Sequence, residues 1–337
     1  MKMAIITITQ NGDKIATTIE KLLKGDVTIF SKNNSENFVF KDVVKKAFEE
    51  FEAIVFITST GIAVRSIAHY IKSKDKDPAV IVIDNSGNYV ISLLSGHLGG
   101  ANEISLKIAE TIKATPVITT ATDNLGITAP DMIAKENNLI IDSLKDAKDI
   151  ASLLVGEDKV AFLDEENIIS TPKGYTKDFK DSKGVVYVTN KIDYKLPDEL
   201  SNMKKLKLIR KNIVLGIGCR KDYSKEAMEN NVANTLREYN IDKRAIESIG
   251  TVEIKKEEEA IINLSQKLQA PMKIFTIDEI KEVHKDFEGS DFVEKTIGVR
   301  SVAEPCVKLQ GGNNISGKLK LNGMTLCIGQ NTINRER

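Results

Sequence analysis

Histidine occurs three times in the 337 residues, at positions 69, 97 and 284. His97 sits in Ser95-Gly96-His97-Leu98-Gly99-Gly100-Ala101-Asn102, a glycine-bearing turn between a strand-like and a helix-like run. An imidazole there can move a proton near neutral pH. The glycines let backbone approach a ligand closely, and the first amides of a following helix are unpaired and carry partial positive charge. A lone histidine can equally be structural, and both readings stand at this point. A second polar set, Thr119, Thr120, Thr122 and Asp123, closes the next strand-like run, where it can cap a helix or line a site. A third is Gly216-Ile217-Gly218-Cys219-Arg220-Lys221. Two glycines after a strand raise the question of a nucleotide, but Lys221 stands where the dinucleotide fingerprint needs its third glycine, and there is no Walker lysine pattern. The expectation is a tight turn presenting Cys219, Arg220 and Lys221 to an anionic ligand. Ser95 and His97, two apart on an extended chain, are badly placed as nucleophile and base, and the surroundings are not Gly-x-Ser-x-Gly. Cys219 has no histidine nearby in sequence to activate it.

These residues need elements to position them. Residues 89–94 form an apolar run of strand length. In 101–113, Ile104, Ile108 and Ile112 fall four apart on one helix face. Val117 and Ile118 begin another strand. The unit is strand, glycine turn, helix, strand, and open parallel sheets bind ligands beyond the carboxyl ends of their strands. The same plan recurs upstream, where a strand at 53–58 precedes Ser59-Thr60-Gly61 and a helix at 62–71. Strands at 3–9 and 27–30, helices at 12–23 and 42–51, and a hairpin of 79–83 with 89–94 about Asn85-Ser86-Gly87-Asn88 complete the region. This alternation predicts an N-terminal α/β domain over 1–126 with both sheet faces covered.

Residues 127–210 read as a small α/β middle segment. It has helices at 132–136 and 143–154, the latter capped by Ser143, and short strands at 159–163, 168–169 and 185–189. Its closing basic run, Lys204, Lys205, Lys207, Arg210 and Lys211, reads as a solvated linker. A separate C-terminal α/β domain is expected over 211–337. Its strands fall at 213–217, 248–252 and 272–275, and its helices at 224–239 and 256–268. Thr276-x-x-Glu279 is a capping box, and 292–309 is mostly helical with breaks near Gly298 and Pro305. Asn322-Gly323 marks a closing hairpin.

Lys plus Arg equals Asp plus Glu at 48 each, so no global field favours nucleic acid or acidic lipid. No apolar run approaches the ~20 residues of a membrane span, and the first is too brief for a signal peptide. The three cysteines are odd in number and far apart without a CxxC, which points to a reducing cytoplasm and no structural zinc.

Longer strings narrow the reading. Thr-Gly-Ile-Ala-Val-Arg (60–65), Asp-Pro-Ala-Val-Ile-Val-Ile-Asp (77–84), Ile-Ser-Leu-Leu-Ser-Gly-His-Leu-Gly-Gly-Ala-Asn (91–102) and Pro-Val-Ile-Thr-Thr-Ala-Thr-Asp (116–123) resemble the N-terminal region of the cobalamin biosynthesis protein CbiG family. Gly-Ile-Gly-Cys-Arg-Lys (216–221) and residues 292–305 resemble that family's C-terminal domain, shared with the aerobic-pathway protein CobE. The resemblance follows the family's order and is weakest over 127–210. After Pro305 this chain runs Cys-Val-Lys-Leu-Gln-Gly-Gly where relatives are often richer in alanine, which bears only on packing.

The resemblance implies a cobalt-precorrin-5A hydrolase of anaerobic vitamin B12 synthesis. It would open the ring-A δ-lactone with water and release acetaldehyde to give cobalt-precorrin-5B. It also implies no added cofactor, since cobalt arrives inside the substrate. Lactone hydrolysis needs a base for water and donors for the oxyanion. His97 is the first choice for base, with Asp123 or Glu304 as alternatives, and His97 as axial cobalt ligand is a further reading. The amides around Gly99 and Gly100 are the expected donors. Arg65, Arg220, Lys221 and Arg300 are candidates for the substrate's acidic arms. Thr60, Gly61, Ser95, Gly96, Asn102, Thr119, Thr120, Thr122, Gly218 and Cys219 complete the expected substrate contacts. Expected partners are the corrinoid and, for hand-over, neighbouring pathway enzymes. A non-catalytic corrinoid-transfer protein and an unrelated nucleotide-dependent enzyme are the competing classes.

Overall fold

The computed structural model describes residues 1–331 apart from Lys24, Lys74, Asp75, Ser201, residues 290–293 and Thr296. The chain divides into two compact units, Met1–Lys135 and Glu136–Arg337.

The first unit is built from β1 (Lys2–Thr7), α1 (Gln10–Leu22), β2 (Asp26–Ser31), α2 (Phe40–Glu50), β3 (Ala53–Ile57), α3 (Thr60–Ile67), β4 (Ala79–Ile83), β5 (Tyr89–Leu94), α4 (Ala101–Ile112), β6 (Thr115–Val117), α5 (Ala121–Asn124) and α6 (Pro130–Glu136). Its sheet order is β2-β1-β3-β4-β5-β6. The central strands are apolar throughout because both faces are covered. Ile5, Val55, Ile57, Ile81 and Ile83 pack with Ile19 of α1 and Ile104 and Ile108 of α4. Alternate residues Ile6, Ile54, Phe56, Val80 and Val82 pack on the other side with Val44 of α2 and Ala63 and Ile67 of α3. Thr9 starts α1 by accepting from the Gly12 amide, so the helix opens ahead of its apolar periodicity.

Strand direction decides where the turns lie. β1 to β4 are mutually parallel. The predicted hairpin makes β5 antiparallel to β4, and β6 then runs parallel to β5. The carboxyl ends of β5 and β6 therefore lie at the amino edge of β1–β4. Ser95, just past β5, donates from Oγ to the Asp77 carbonyl ahead of β4 at 3.0 Å.

The second unit begins with β7 (Leu139–Ile141), α7 (Leu144–Val155), β8 (Val160–Asp164), β9 (Gly184–Thr189) and β10 (Lys204–Arg210). These strands form a sheet of order β7-β10-β9-β8. It continues with β11 (Ile213–Cys219), α8 (Lys225–Glu238), β12 (Ile246–Val252), α9 (Glu259–Leu268), β13 (Met272–Phe275), α10 (Ile277–Val283), α11 (Ala303–Leu309), β14 (Gly312–Asn314), β15 (Leu319–Leu321) and β16 (Met324–Asn331). Here the order is β13-β12-β11-β16-β14, with β15 on β16. The Ser143 cap and the Thr276–Glu279 capping box both form. Asn322 (φ 46°) and Gly323 (φ 93°) turn the β15–β16 hairpin, as two-residue turns of positive φ require.

Four expectations are corrected here. The basic run 204–211 is largely strand β10: Leu206, Leu208 and Ile209 are buried, and Arg210 is 2% exposed. Its charge is tolerated because Arg210 Nη2 meets Asp164 at 2.6 Å, while Lys207 meets Asp242 at 3.2 Å. Residues 168–169 are no strand, since their amides bind the Asp164 carboxylate at 2.8 Å each. Gly216 and Gly218 lie inside β11 rather than in a turn. A Cβ on Gly216 would fall 1.8 Å from the Ala303 carbonyl oxygen, so glycine is there to let α11 approach the strand. Pro305 does not break a helix. It occupies the first turn of α11, where its missing N–H costs nothing. Phe292 and its neighbours to 293 fall outside the described residues.

Candidate active site

The turn after β5 carries His97 on a backbone held from both sides. Ser95 adopts φ 57°, and Gly100 caps α4 at φ 84°. The His97 side chain is 17% exposed and lies between two carboxylates. Its Nε2 is 3.0 Å from Asp123 Oδ2, and its Nδ1 is 3.4 Å from Asp131 Oδ1. Asp123 is 44% exposed and Asp131 10%, so one carboxylate faces solvent and the other is enclosed. Asn102 Nδ2 donates to the same Asp123 oxygen at 2.8 Å and to Thr120 Oγ1 at 3.0 Å, while its Oδ1 accepts from Ser92 at 2.6 Å. Thr120 also donates to Asp123, and Thr122 Oγ1 stands 3.4 Å from His97 Nε2. Gly96 makes room for this arrangement, because a Cβ there would sit 2.7 Å from Asn102 Oδ1. Lys135 Nζ reaches the His97 carbonyl at 3.2 Å.

Asp131 first, and then Asp123, hold the His97 proton more tightly than free imidazole would, against the opposing effect of partial burial. The enclosed Asp131 orients Nδ1, and the wet Asp123 shares Nε2. Among the described residues no group of three or more His, Cys, Asp or Glu is arranged to hold a metal ion.

The predicted residues fall into three places. His97, Asp123, Ser95, Gly96, Gly99, Gly100, Asn102, Thr120 and Thr122 come together in one cluster, with the exposed Thr119 beside them. Thr60, Gly61 and Arg65 do not join it. They begin α3 at the carboxyl edge of β3, the opposite edge of the sheet, because β5 reverses direction; the exposed Arg65 guanidinium lies beside Gly61. The expected oxyanion donors also change. The amides of Gly100, Ala101 and Asn102 are already taken by the carbonyls of His97, Ser95 and Gly96 at 3.0–3.1 Å. The amides of Leu98 and Gly99 have no protein acceptor among the described residues. Sequence reasoning missed Asp131 and Ser92. An acid in the first turn of a short helix is ordinary chemistry, so nothing local marked Asp131.

The third place is in the second unit. Gly218, Cys219, Arg220 and Lys221 line a cavity of about 660 Å³ with Lys255, Lys318 and Lys320. Burial lifts the Cys219 thiol to about 11, so it is a neutral wall group rather than a nucleophile. Arg300 is exposed, its Nε 3.8 Å from Glu294 and its amide donating to His284 Nδ1, and it does not line the cavity. That bond makes His284 structural. Glu304 is 8% exposed and its carboxyl is pushed above the usual range by burial, with Lys318 and Ser301 pulling the other way.

A unit built on an α/β sheet with an imidazole between two carboxylates, and a second unit with a cation-lined cavity, define a two-unit α/β protein with a polar candidate site in each. Known proteins sharpen this. The description "Cobalamin synthesis G N-terminal" matches residues 42–123, "Cobalamin biosynthesis central region" residues 128–201, and "Cobalamin synthesis G C-terminus" residues 213–329. The chain belongs to the cobalamin synthesis G family. A protein of Salmonella typhimurium named cobalt-precorrin-5A hydrolase is 34% identical over 341 residues, covering 97% of each chain. One of the same name from Priestia megaterium is 28% identical, covering 92% of this chain and 89% of its own. The crystal structure of a cobalamin biosynthesis protein G homolog from Sulfolobus solfataricus covers 98% of this chain and 97% of that one, at 20% identity and a TM-score of 0.42.

Proposed function

We infer that the chain is a cobalt-precorrin-5A hydrolase of the cobalamin pathway. It opens the ring-A δ-lactone of its substrate with water and releases the two-carbon fragment as acetaldehyde, giving cobalt-precorrin-5B. Near full-length identity of 34% to the Salmonella enzyme supports the activity. Within the chain, the observation that carries the chemistry is His97 held between Asp123 and Asp131.

Neutral His97, its Nδ1–H held by Asp131, takes a proton through Nε2 from a water that enters between Nε2 and the solvent-facing Asp123, as that water attacks the lactone carbonyl. The Leu98 and Gly99 amides can receive the oxyanion. The ring then opens to a carboxylate and an alcohol. In the second stage the hydroxyl proton is removed and the adjoining carbon–carbon bond breaks. Acetaldehyde leaves, and the conjugated macrocycle takes the electron pair, so the scheme needs no added cofactor. Cobalt is part of the substrate. Carboxylates at both ring nitrogens favour proton transfer over cobalt ligation as the role of His97. Three free thiols suit a cytoplasmic setting.

The test is acetaldehyde release from cobalt-precorrin-5A by the purified protein. His97→Ala should lower turnover by about a hundredfold or more, the usual contribution of a general acid–base group. Turnover within about threefold of the unaltered chain would remove His97 from the chemistry. No acetaldehyde from the unaltered chain would refute the activity.

A further inference from the structure

We propose that the cavity of the second unit is a corrinoid seat in its own right, gripping an apolar macrocycle by its acidic arms without help from His97. The choice of a macrocycle rests on the function inferred above; the cavity's own chemistry asks for a broad apolar body bearing several carboxylates. The walls supply the first half of that description. Val252, Ile254, Ile297, Val302 and Leu321 line it, with Ile254 in the turn after β12 51% exposed.

The rim supplies the second half. Among the described residues the cavity is lined by five cations and no carboxylate, in a chain whose positive and negative side chains are equal at 48 each. Lys255 is already paired with Glu258 at 2.8 Å. Arg220, Lys221, Lys318 and Lys320 have no carboxylate within salt-bridge distance among the described residues. These four come from two separate pieces of chain, the end of β11 and the β15 strand with its approach, which flank β16 on either side, so their charge is not held at one point. Arg220 is steadied over the Tyr223 ring at 5.7 Å. Spread cations around apolar walls match a ring with acids at its periphery. A nucleotide would concentrate its charge at one end, and among the described residues no aromatic side chain lines the cavity for a base to stack on. The volume of about 660 Å³ lies inside the usual range of ligand sites.

The experiment titrates the full chain with cobyrinic acid, a corrinoid with free carboxylate arms, and with its heptamethyl ester, following the corrin absorption. Expected are saturable binding of the acid, ester binding at least about tenfold weaker, and weakening of the acid by added salt. His97→Ala should bind the acid as the unaltered chain does. Lys318→Glu with Lys320→Glu should weaken it at least about tenfold while melting temperature and circular dichroism stay unchanged, since charge reversal at a rim acts on the partner's charge. The proposal is overturned if the double variant binds within about twofold of the unaltered chain, if acid and ester bind equally, if His97→Ala loses the acid, or if ATP binds and the acid does not. Absence of acetaldehyde release refutes the activity and leaves this titration readable, so the two failures are separable.

Discussion

His97 illustrates how much one side chain can say once its neighbours are known. Asp131, then Asp123, raise its pKa above the ordinary 6.5, and this fixes two signs. For stability, a raised folded value means that the pairing contributes fully below the unfolded pKa and is lost as pH climbs through the folded one. For catalysis, a base requires the neutral ring, so kcat/KM should rise with pH through a value above 6.5. Asp131→Asn withdraws the larger of the two influences. The acidic limb of the pH–rate profile should then move to lower pH, and kcat should fall about tenfold as the ring loses the charged partner that orients Nδ1. A limb that stays in place would show that Asp131 does not set the His97 proton. Asp123 was legible in the sequence because it closes a run of hydroxyls at a strand end. Asp131 was not, because only the return of α6 across the turn brings it to the ring.

At the scale of elements, close approach explains the β11 glycines better than a turn does. In β11, Gly216 lets α11 lie on the strand, with its absent Cβ replaced in space by the Ala303 carbonyl. Gly216→Ala should therefore destabilise the second unit by about 3 kcal/mol, the upper end of overpacking costs, measured by urea denaturation. A change under about 0.5 kcal/mol would mean that α11 can shift freely. Caps and hairpins were readable because each is satisfied within three or four residues: Ser143, Ser224, Thr276 with Glu279, and Asn322-Gly323 all behave as their chemistry demands. Basic β10 was not, since its lysines and Arg210 imitate a solvated linker until their acidic partners, up to 46 residues away, are in place.

For the molecule as a whole, those buried charges join two sheets into one unit. Lys207 of β10 meets Asp242 beyond α8, and Asn212 ahead of β11 reaches Glu166 past β8, while Arg210 of β10 meets Asp164 of β8 and so braces the first of these sheets from within. Arg244, next to Asp242, closes on Asp142 at 2.6 Å. Breaking a buried pair strands a charge, so Arg210→Ala should cost about 3–5 kcal/mol. Calorimetry should show the β7–β10 sheet and the β11–β16 sheet melting in a single transition that this variant lowers. Separate melting of the two sheets in the unaltered chain would show that the network does not couple them.

Local chemistry determined much by itself: alternating strands and helices, where most begin and end, the His97 turn, Asp123 beside it, and the strings that carry the family. Such features depend on burial period and on hydrogen bonds closed within a turn or two, and both are written in consecutive residues. Tertiary structure decided the rest. The reversal of β5 sent Thr60 and Arg65 to the far edge of the sheet, folding brought Asp131 to His97, and packing buried Arg210. Each depends on which distant segments share the space around a side chain, and spacing along the chain does not contain that information.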